Sequence, residues 1–218
     1  MSVVYWDRDF ADGVSVRGTL HRGDGDIDSA LVIAHGAGGT KESPLLIAIA
    51  DEFSSHGIVT LRIDLPYRQK RPKGPPSPHG EKDRLGIVRA AESLGAKRVF
   101  LGGTSYGGRQ ATLLAAEQPD LAAGLMLLSY PLHPPGKPEN LRTEHFPRLT
   151  TPSLFLHGSK DAFGSIDEME KHLPAVAGRH HLVEFPKAGH GLTSRKSSAE
   201  AIKACAAKIY VEFSTFLL

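Results

Sequence analysis

Short apolar runs alternate almost throughout the chain with segments typical of helices. Continuous apolar runs are typical of parallel strands whose two faces are both covered. A chain that alternates strands with helices builds a parallel sheet with helices packed on both faces. The pattern therefore predicts an α/β fold with strands in SALVIAHG, IVTLRIDLP, RVFLGG, AGLMLLSYPL, PSLFLHG and HLVEFP.

The amino-terminal residues follow a different pattern. Residues 3–22 contain two extended stretches around the turn signal DFADG, and VSVRGTLHR alternates apolar and polar residues. This predicts an antiparallel hairpin at one edge of the sheet. A helix is predicted over residues 43–57, with Ser43 as cap, Pro44 in the first turn and Gly57 at the end. Further helices are predicted at 81–94, 106–117, 166–173 and 198–216.

Size and composition limit the class of protein. The 218 residues, 40% hydrophobic and 23% charged, suit a single domain over residues 1–218 with an ordinary core. A net charge of +2 gives no reason to expect a nucleic-acid partner. The acidic start MSVVYWDRDFADG does not resemble a signal peptide, and no apolar run approaches the ~18 residues of a membrane span. With one cysteine, Cys205, no internal disulfide can form, and we expect a cytoplasmic protein that binds no membrane.

Ser105 lies in the pattern G-x-S-x-G, between a predicted strand and a predicted helix. In that context the serine occupies a strained turn, at the sheet edge where α/β proteins bind ligands. The helix that follows favours negative charge at its amino terminus. Glycines are needed on both sides because side chains there would collide with the neighbouring strand and helix. A plain glycine–serine loop is the alternative, but the strand and helix context favours a catalytic nucleophile.

A nucleophilic serine needs a base, which is itself oriented by an acid. His190, in EFPKAGHGL, and Asp161, in LFLHGSKDAFGS, both follow predicted strands at the same sheet edge as Ser105. His190 would accept the serine proton, and Asp161 would hold the imidazole in the required tautomer. Alternatively, Asp161 could cap a helix and His190 could be an ordinary loop histidine. Rival acids are Asp167, Glu168 and Glu184.

The glycine-rich loop after SALVIA supplies a candidate oxyanion hole. Its residues are HGAGG, where glycines allow the backbone to approach a substrate. The expected donors are the N–H of Tyr106, which follows the nucleophile, and the N–H of Ala37. Gly36 is the alternative donor and a candidate substrate-binding residue, and a plain glycine turn is the competing interpretation.

In chain order these motifs are H-G-x-G-G, G-x-S-x-G, H-G-x-x-D and G-H-G, from about Leu31 to the end of the chain. The set resembles the α/β-hydrolase superfamily. The stretches IAHGAGGTKESP, LRIDLPYR, YPLHPPGKPENLR and FLHGSKDAFGS resemble a small subfamily of predicted hydrolases related to the testis-expressed protein 30 and NSL-complex subunit 3 group.

The resemblance implies an α/β-hydrolase fold and a Ser105–His190–Asp161 triad without a metal or organic cofactor. It implies little about the substrate. The chain is also similar in size to dienelactone hydrolases, but those use a cysteine nucleophile, so the serine argues against carrying over their activity.

Two loops bear on access to the site. The segment between the strands ending near Ser129 and beginning near Ser153 is short and holds five prolines, so a full helical cap is not expected. The segment Pro66–Pro78 is proline-rich and basic, and we expect a lid, a binding loop or a mobile excursion. Within it, Tyr67 and Arg68 are candidate substrate-binding residues. The basic cluster Arg68, Lys70, Arg71 and Lys73 would suit an anionic substrate or an acidic partner, although a solvated loop is the simpler interpretation.

Several other residues carry weaker signals. Arg109 could reach the site, but we expect it to pair with a carboxylate such as Asp64 or Glu42, or to lie on the surface. The spacings of His133, His145 and His157 match no familiar metal-ligand pattern, and Cys205 is expected to pack in the last helix.

The sequence therefore predicts a serine hydrolase that cleaves a small ester or related acyl substrate through an acyl-enzyme. The same triad would equally support a thioesterase, an amidase or an acyltransferase. A binding or scaffold protein that keeps the fold without turnover is the alternative of another class, and the presence of serine, histidine and acid together argues against it. The oligomeric state is not predicted.

Overall fold

The computed structural model describes residues 2–23, 27–76, 79–194 and 196–218. In this part of the chain, eight strands form one sheet in the order β1-β2-β4-β3-β5-β6-β7-β8. The strands are β1 (Ser2–Asp9), β2 (Ser15–Arg22), β3 (Ser29–Ala34), β4 (Val59–Asp64), β5 (Arg98–Thr104), β6 (Gly124–Leu128), β7 (Ser153–Gly158) and β8 (His180–Phe185).

The sheet is mostly parallel, as the sequence predicts. β1 pairs antiparallel with β2, and β2 pairs antiparallel with β4, which confirms the expected edge hairpin. All other neighbouring strands are parallel. β3 lies between β4 and β5, so the chain builds outward from β3 in both directions. The carboxyl ends of β3 and β5 therefore meet at the switch point where open α/β sheets bind ligands.

The helices of the described ranges are α1 (Pro44–Ser55), α2 (Pro66–Lys70), α3 (Glu81–Glu92), α4 (Tyr106–Glu117), α5 (Ile166–His172) and α6 (Ala199–Leu217). No helix in these ranges is long and apolar enough to cross a membrane. Except for α2, they match the helices expected from the sequence. α5 begins with a capping box, in which the side chains of Ser165 and Glu168 each accept the other's backbone N–H.

Apolar side chains cover both faces of the sheet. Leu31 and Ile33 of β3 pack with the buried residues of α1 and α6 on one face. Val32, between them in sequence, points to the other face and packs with the apolar residues of α3, α4 and α5. The continuous apolar runs thus have the expected cause, since each strand is covered on both sides.

Three local expectations need correction. The side chain of Ser43 does not cap α1; its hydroxyl donates to the carbonyl oxygen of Thr40. Residues 66–78 do not form a continuous loop, because Pro66–Lys70 form α2, in which Pro66 occupies the first turn as proline can. The end of that segment, Ser77 and Pro78, lies outside the described residues.

The segment between β6 and β7 carries no helical cap, as expected. Residues 131–151 are all described, and their only helical element is a short 3₁₀ turn at Phe146–Arg148. Among the residues that the structure describes, no cap domain covers the carboxyl edge of the sheet.

Candidate active site

Ser105 occupies the turn between β5 and α4 with a backbone that L-residues rarely adopt. Its φ is 52° and its ψ is −111°. Positive φ in a non-glycine residue costs free energy and persists only where the surrounding structure holds it. Here the N–H of Ser105 donates to the carbonyl of Leu128 at 2.8 Å, and its carbonyl accepts the N–H of Arg109 at 2.9 Å. The serine is therefore fixed between a neighbouring strand and the first turn of α4.

The glycines around Ser105 are required by close backbone approach. A Cβ at Gly103 would lie 2.6 Å from the carbonyl oxygen of Ala34, and one at Gly107 would lie 2.7 Å from the carbonyl oxygens of Ala34 and His35. A Cβ at Gly108 would lie 2.8 Å from the carbonyl oxygen of Gly103. The turn thus packs directly against the end of β3, which brings Ser105 beside the loop that follows that strand.

The structure brings together the three residues that the sequence singles out as nucleophile, base and acid. The Ser105 hydroxyl lies 2.7 Å from Nε2 of His190. Nδ1 of His190 lies 2.8 Å and 2.9 Å from the two carboxylate oxygens of Asp161. A carboxylate can only accept, so Nδ1 carries the hydrogen and Nε2 is left to accept the serine proton. This is the tautomer that a general base requires.

The rival acids lie elsewhere. Glu168 is engaged in the capping box of α5, and one of its oxygens lies 3.4 Å from Nε2 of His133. Asp167 belongs to the first turn of the same helix, and Glu184 is an exposed residue of β8.

Asp161 is buried, and hydrogen bonds fix the orientation of its carboxylate. Its side chain has no exposed surface, and one oxygen also accepts the N–H of Phe163 at 2.8 Å. His157 lies nearby, 3.6 Å away, but its Nε2 donates to the carbonyl of Gly164 at 2.8 Å. Burial lowers the pKa of His157, so this ring stays neutral. The Asp161 charge is consequently aimed at His190.

Phe163 is a site residue that sequence reasoning missed. Its ring stacks on the imidazole of His190, with centroids 3.9 Å apart and planes inclined by 20°. The His190 loop also packs closely against the end of β7. A Cβ at Gly158 would lie 2.6 Å from the carbonyl oxygen of Gly189, so only glycine fits there. These contacts restrict the ring of His190 to the plane in which it meets both partners.

In the loop after β3, two hydrogen bonds to one carbonyl set the orientation of the peptide between Gly36 and Ala37. The carbonyl of Gly36 accepts the Nδ1–H of His35 at 2.8 Å and the N–H of Gly39 at 2.9 Å. A trans peptide points its N–H opposite its carbonyl, so the N–H of Ala37 points away from His35. Tyr106 is the first residue of α4, where backbone N–H groups have no partner within the helix. Ala37, Gly36 and Tyr106 all line the pocket beside Ser105.

Tyr67 and Arg68 lie behind this loop rather than in the pocket. Arg68 is only 6% exposed, and its guanidinium donates to the carbonyls of Ala37 and Gly39, the latter at 3.1 Å. The Tyr67 hydroxyl donates to the same Ala37 carbonyl at 2.9 Å. Neither side chain is among the residues that line the pocket around Ser105. The two residues predicted to bind substrate therefore anchor the candidate oxyanion loop from its far side.

Asp83 is a second residue that sequence reasoning missed. The residue is 1% exposed, and its carboxylate accepts the N–H of Tyr67 at 2.9 Å and the hydroxyl of Tyr106 at 2.7 Å. Burial raises the pKa of Asp83, and burial together with Asp83 raises the pKa of Tyr106. One buried carboxylate thus touches both the residue after the nucleophile and the helix that anchors the Ala37 loop.

The pocket at Ser105 has a volume of about 860 Å³ and two unlike walls. One wall is apolar and comes from α1 and α6, on one face of the sheet. The other wall carries Arg109 of α4 and Arg142 of the 131–151 segment, which pack on the opposite face. Pro75 and Pro76, from the Pro66–Pro78 segment, complete the lining on one side. The apolar wall consists of Pro44, Leu45, Leu46 and Ile202.

Arg109 pairs with a carboxylate, as expected, but with neither Asp64 nor Glu42. Arg109 pairs with Glu144 at 3.1 Å. Asp64 instead accepts the backbone N–H of Lys41 at 2.8 Å, and Glu42 lies against Lys41 and Arg62. Arg109 is oriented toward the 131–151 segment because α4 packs on that face of the sheet.

The remaining histidines do not assemble a metal site. No group of three or more His, Cys, Asp or Glu residues in the described ranges could hold a metal ion. His145 is buried against the Thr112 hydroxyl at 2.8 Å, and burial lowers its pKa to about 4. Cys205 packs at the edge of the α1–α6 core, where burial raises the pKa of its thiol.

Solved structures with the same fold include several hydrolases. A dienelactone hydrolase from Anabaena variabilis has a TM-score of 0.75 and 22% identity, over 100% of this chain and 99% of that one. Est1E from Butyrivibrio proteoclasticus has a TM-score of 0.72 and 19% identity, over 99% and 100%. The esterase domain of a Rhodothermus marinus protein has a TM-score of 0.73 and 14% identity, over 100% of both chains. At these identities the likeness shows the fold alone.

A sequence family described as the alpha/beta hydrolase domain matches residues 27–217, nearly the whole chain. The expected fold class and the expected hydrolase enzyme are confirmed at this level. By fold and by sequence, the chain belongs to the alpha/beta hydrolase family.

Proposed function

We propose that this hydrolase cleaves a small carboxylic ester through a covalent acyl-enzyme on Ser105. The observation that supports this most strongly is the continuous hydrogen-bonded chain from Ser105 through His190 to Asp161, with links of 2.7 Å and 2.8 Å. Ser105 and His190 line a pocket large enough for a small ester.

In the first half of the reaction, the Ser105 oxygen attacks the ester carbonyl while Nε2 of His190 takes its proton. The carbonyl oxygen becomes an oxyanion that the N–H groups of Ala37 and Tyr106 stabilise. Asp161 stabilises the imidazolium that forms. Nε2–H of His190 then protonates the leaving alkoxide, and an alcohol departs.

In the second half, water attacks the acyl-enzyme. His190 removes a proton from the water, and the same two N–H groups stabilise the second oxyanion. Collapse of that intermediate breaks the bond to Ser105, whose oxygen regains the proton from His190. The product is a carboxylic acid, and the enzyme returns to its starting state.

The same machinery would support a thioesterase, an amidase or an acyltransferase. No cap covers the site in the described part of the chain, which favours hydrolysis, because a site open to water does not protect an acyl-enzyme for transfer to another acceptor. A non-catalytic scaffold is disfavoured because it has no need of a strained Ser105 backbone or of a histidine whose Nε2 lies 2.7 Å from the serine hydroxyl.

The finer assignments are proposals of the same kind. We place the chain in the subfamily related to the testis-expressed protein 30 and NSL-complex subunit 3 group. We also propose that residues 1–218 act as one cytoplasmic domain whose partner is a small acyl substrate rather than a nucleic acid or a membrane.

The test is covalent labelling with a fluorophosphonate probe, read by intact mass. We expect one label on the wild type and none on Ser105→Ala. The matched control is Ser43→Ala, a serine of the same pocket whose hydroxyl donates to a backbone carbonyl instead of a histidine. It should label like the wild type. A folded wild type that takes no label, or equal labelling of Ser105→Ala, would refute the proposal.

A further inference from the structure

The charged side chains around the pocket are of one sign. Arg109 and Arg142 are the Arg, Lys, Asp or Glu residues that line the described part of the pocket, and no Asp or Glu is among them. The two arginines belong to one wall, and the facing wall is apolar. A pocket for a neutral ester gains nothing from two guanidinium groups.

Arg109 lies one helical turn after Ser105 on α4, where residues four apart lie on the same side of a helix. One of its terminal nitrogens pairs with Glu144 at 3.1 Å, and the Glu144 side chain is 59% exposed. The Nε of Arg109 is buried and has no hydrogen-bond partner among the described residues. An unpaired buried donor is costly, so the guanidinium is only partly satisfied by Glu144, while 23% of the Arg109 side chain is exposed.

Arg142 has a fixed backbone and an almost free guanidinium. Its N–H donates to the carbonyl of Leu132 at 2.8 Å, and its carbonyl accepts the Tyr130 hydroxyl at 2.6 Å. The guanidinium makes one long contact, 3.4 Å, with the carbonyl of Pro131, and no ion pair joins it to a described carboxylate. The group is partly buried, and burial together with the charge of Arg109 lowers the pKa of Arg142.

The two cations of this wall are accompanied by one mostly solvated carboxylate, Glu144, which pairs with Arg109 but does not line the pocket. Two guanidinium groups partly removed from water repel each other, and a bound anion offsets that cost. Guanidinium groups also match the planar geometry of a carboxylate. A dianionic phosphate would lie close to Glu144 and be repelled, whereas a single negative charge balances the wall.

We infer that the pocket selects esters carrying a carboxylate, which Arg142 and Arg109 bind while the apolar wall of α1 and α6 takes the hydrocarbon part. The inference rests on the proposed ester hydrolysis at Ser105 and names its substrate class. The chemistry at the carbonyl is unchanged, and the arginines act by holding the substrate.

The test compares two esters with the same six-carbon acyl chain, mono-4-nitrophenyl adipate and 4-nitrophenyl hexanoate. We expect the wild type to have a kcat/KM for the adipate ester about 10-fold or more above that for the hexanoate ester. Arg142→Gln should lower this ratio about 10-fold, and Arg142→Lys should restore part of it. The control Arg148→Gln removes the same charge from an exposed position in the same segment and should leave the ratio unchanged.

A ratio that Arg142→Gln leaves unchanged would overturn the inference, while fluorophosphonate labelling would still report on the triad. If neither ester is cleaved, the inference is tested by measuring binding of uncleaved analogues instead. Ser105→Ala is titrated calorimetrically with the mono-4-nitroanilide of adipate and with 4-nitrohexananilide. The inference is supported, even if the proposed function fails, when the adipate compound binds more tightly than the other. Adding Arg142→Gln should then weaken binding of the adipate compound about 10-fold. Equal binding of the two compounds overturns it.

Discussion

The buried carboxylate of Asp83 accepts the hydroxyl of Tyr106 at 2.7 Å, so the side chain of the residue that follows the nucleophile is fixed by a hydrogen bond. The other carboxylate oxygen accepts the N–H of Tyr67, whose hydroxyl in turn donates to the carbonyl of Ala37. The two proposed oxyanion donors, the N–H groups of Tyr106 and Ala37, are thus joined through one acid that lies outside the triad.

Asp83→Asn should lower kcat more than it raises KM. The amide oxygen can still accept one hydrogen bond, but the amide nitrogen cannot accept the Tyr106 hydroxyl. Loosening an oxyanion donor acts mainly on the transition state, and we expect a loss of about 10- to 100-fold in kcat. Tyr106→Phe removes the same hydrogen bond from the other side and should give a similar loss. If Asp83→Asn loses stability but keeps full kcat in the folded protein, the residue is purely structural.

Arg68→Met should impair hydrolysis of every ester alike. The side chain holds the carbonyls of Ala37 and Gly39, so its loss frees the loop without removing a contact to substrate. We expect kcat/KM to fall roughly 10-fold or more for both neutral and anionic esters, with their ratio unchanged. Lys73→Met, an exposed position of the same segment, serves as control. A loss confined to the anionic ester would instead return Arg68 to the role of substrate ligand.

Much of the fold and the central residues of the site could be predicted from the sequence. A strand that is covered on both faces needs a continuous apolar run, and the turn that holds a nucleophilic serine needs glycines at fixed spacing. Both features are therefore visible within a few consecutive residues of the sequence. Ser105, Asp161 and His190 could be chosen because each follows a strand whose carboxyl end meets the same edge.

The residues that the sequence did not identify act through packing between distant segments. Asp83 is one acid in the charged stretch EKDR, and nothing local shows that its side chain turns inward beneath Tyr106. The proline-rich basic stretch around Arg68 predicts a solvated or substrate-binding cation, whereas α2 buries the side chain against the Ala37 loop. Phe163 follows Asp161 by two positions, but its stacking on His190 depends on the turn between them.

Gly107→Ala should be severely destabilising, while Gly38→Ala should be tolerated. A Cβ at Gly107 would lie 2.7 Å from two backbone carbonyl oxygens, and backbone cannot move aside without shifting β3. A Cβ at Gly38 would have no atom within 4 Å. We expect a loss of about 3 kcal/mol or more in the free energy of unfolding for Gly107→Ala and less than about 1 kcal/mol for Gly38→Ala. Urea unfolding measures both, and equal stability of the two variants would contradict the packing seen at the turn.

His145 should make the protein less stable in acid. Its pKa falls from 6.5 to about 4 on folding because burial disfavours the charged ring. Between these values the unfolded chain binds a proton at His145 that the native state does not. The contribution of the neutral His145 ring to the free energy of unfolding is therefore fully present above pH 6.5 and is lost as the pH falls toward 4.

From pH 7 to pH 5 this group should lower the free energy of unfolding by about 2 kcal/mol. His145→Gln should remove that share of the pH dependence, whatever its effect on stability at pH 7. The control is His181→Gln, whose ring is exposed on β8 and should leave the acid loss as it is in the wild type. Urea unfolding of the three proteins at pH 7 and pH 5 measures how much free energy of unfolding each loses in acid. An identical loss in the wild type and in His145→Gln would contradict the prediction, because the ring would then be protonated as readily in the native state as in the unfolded chain.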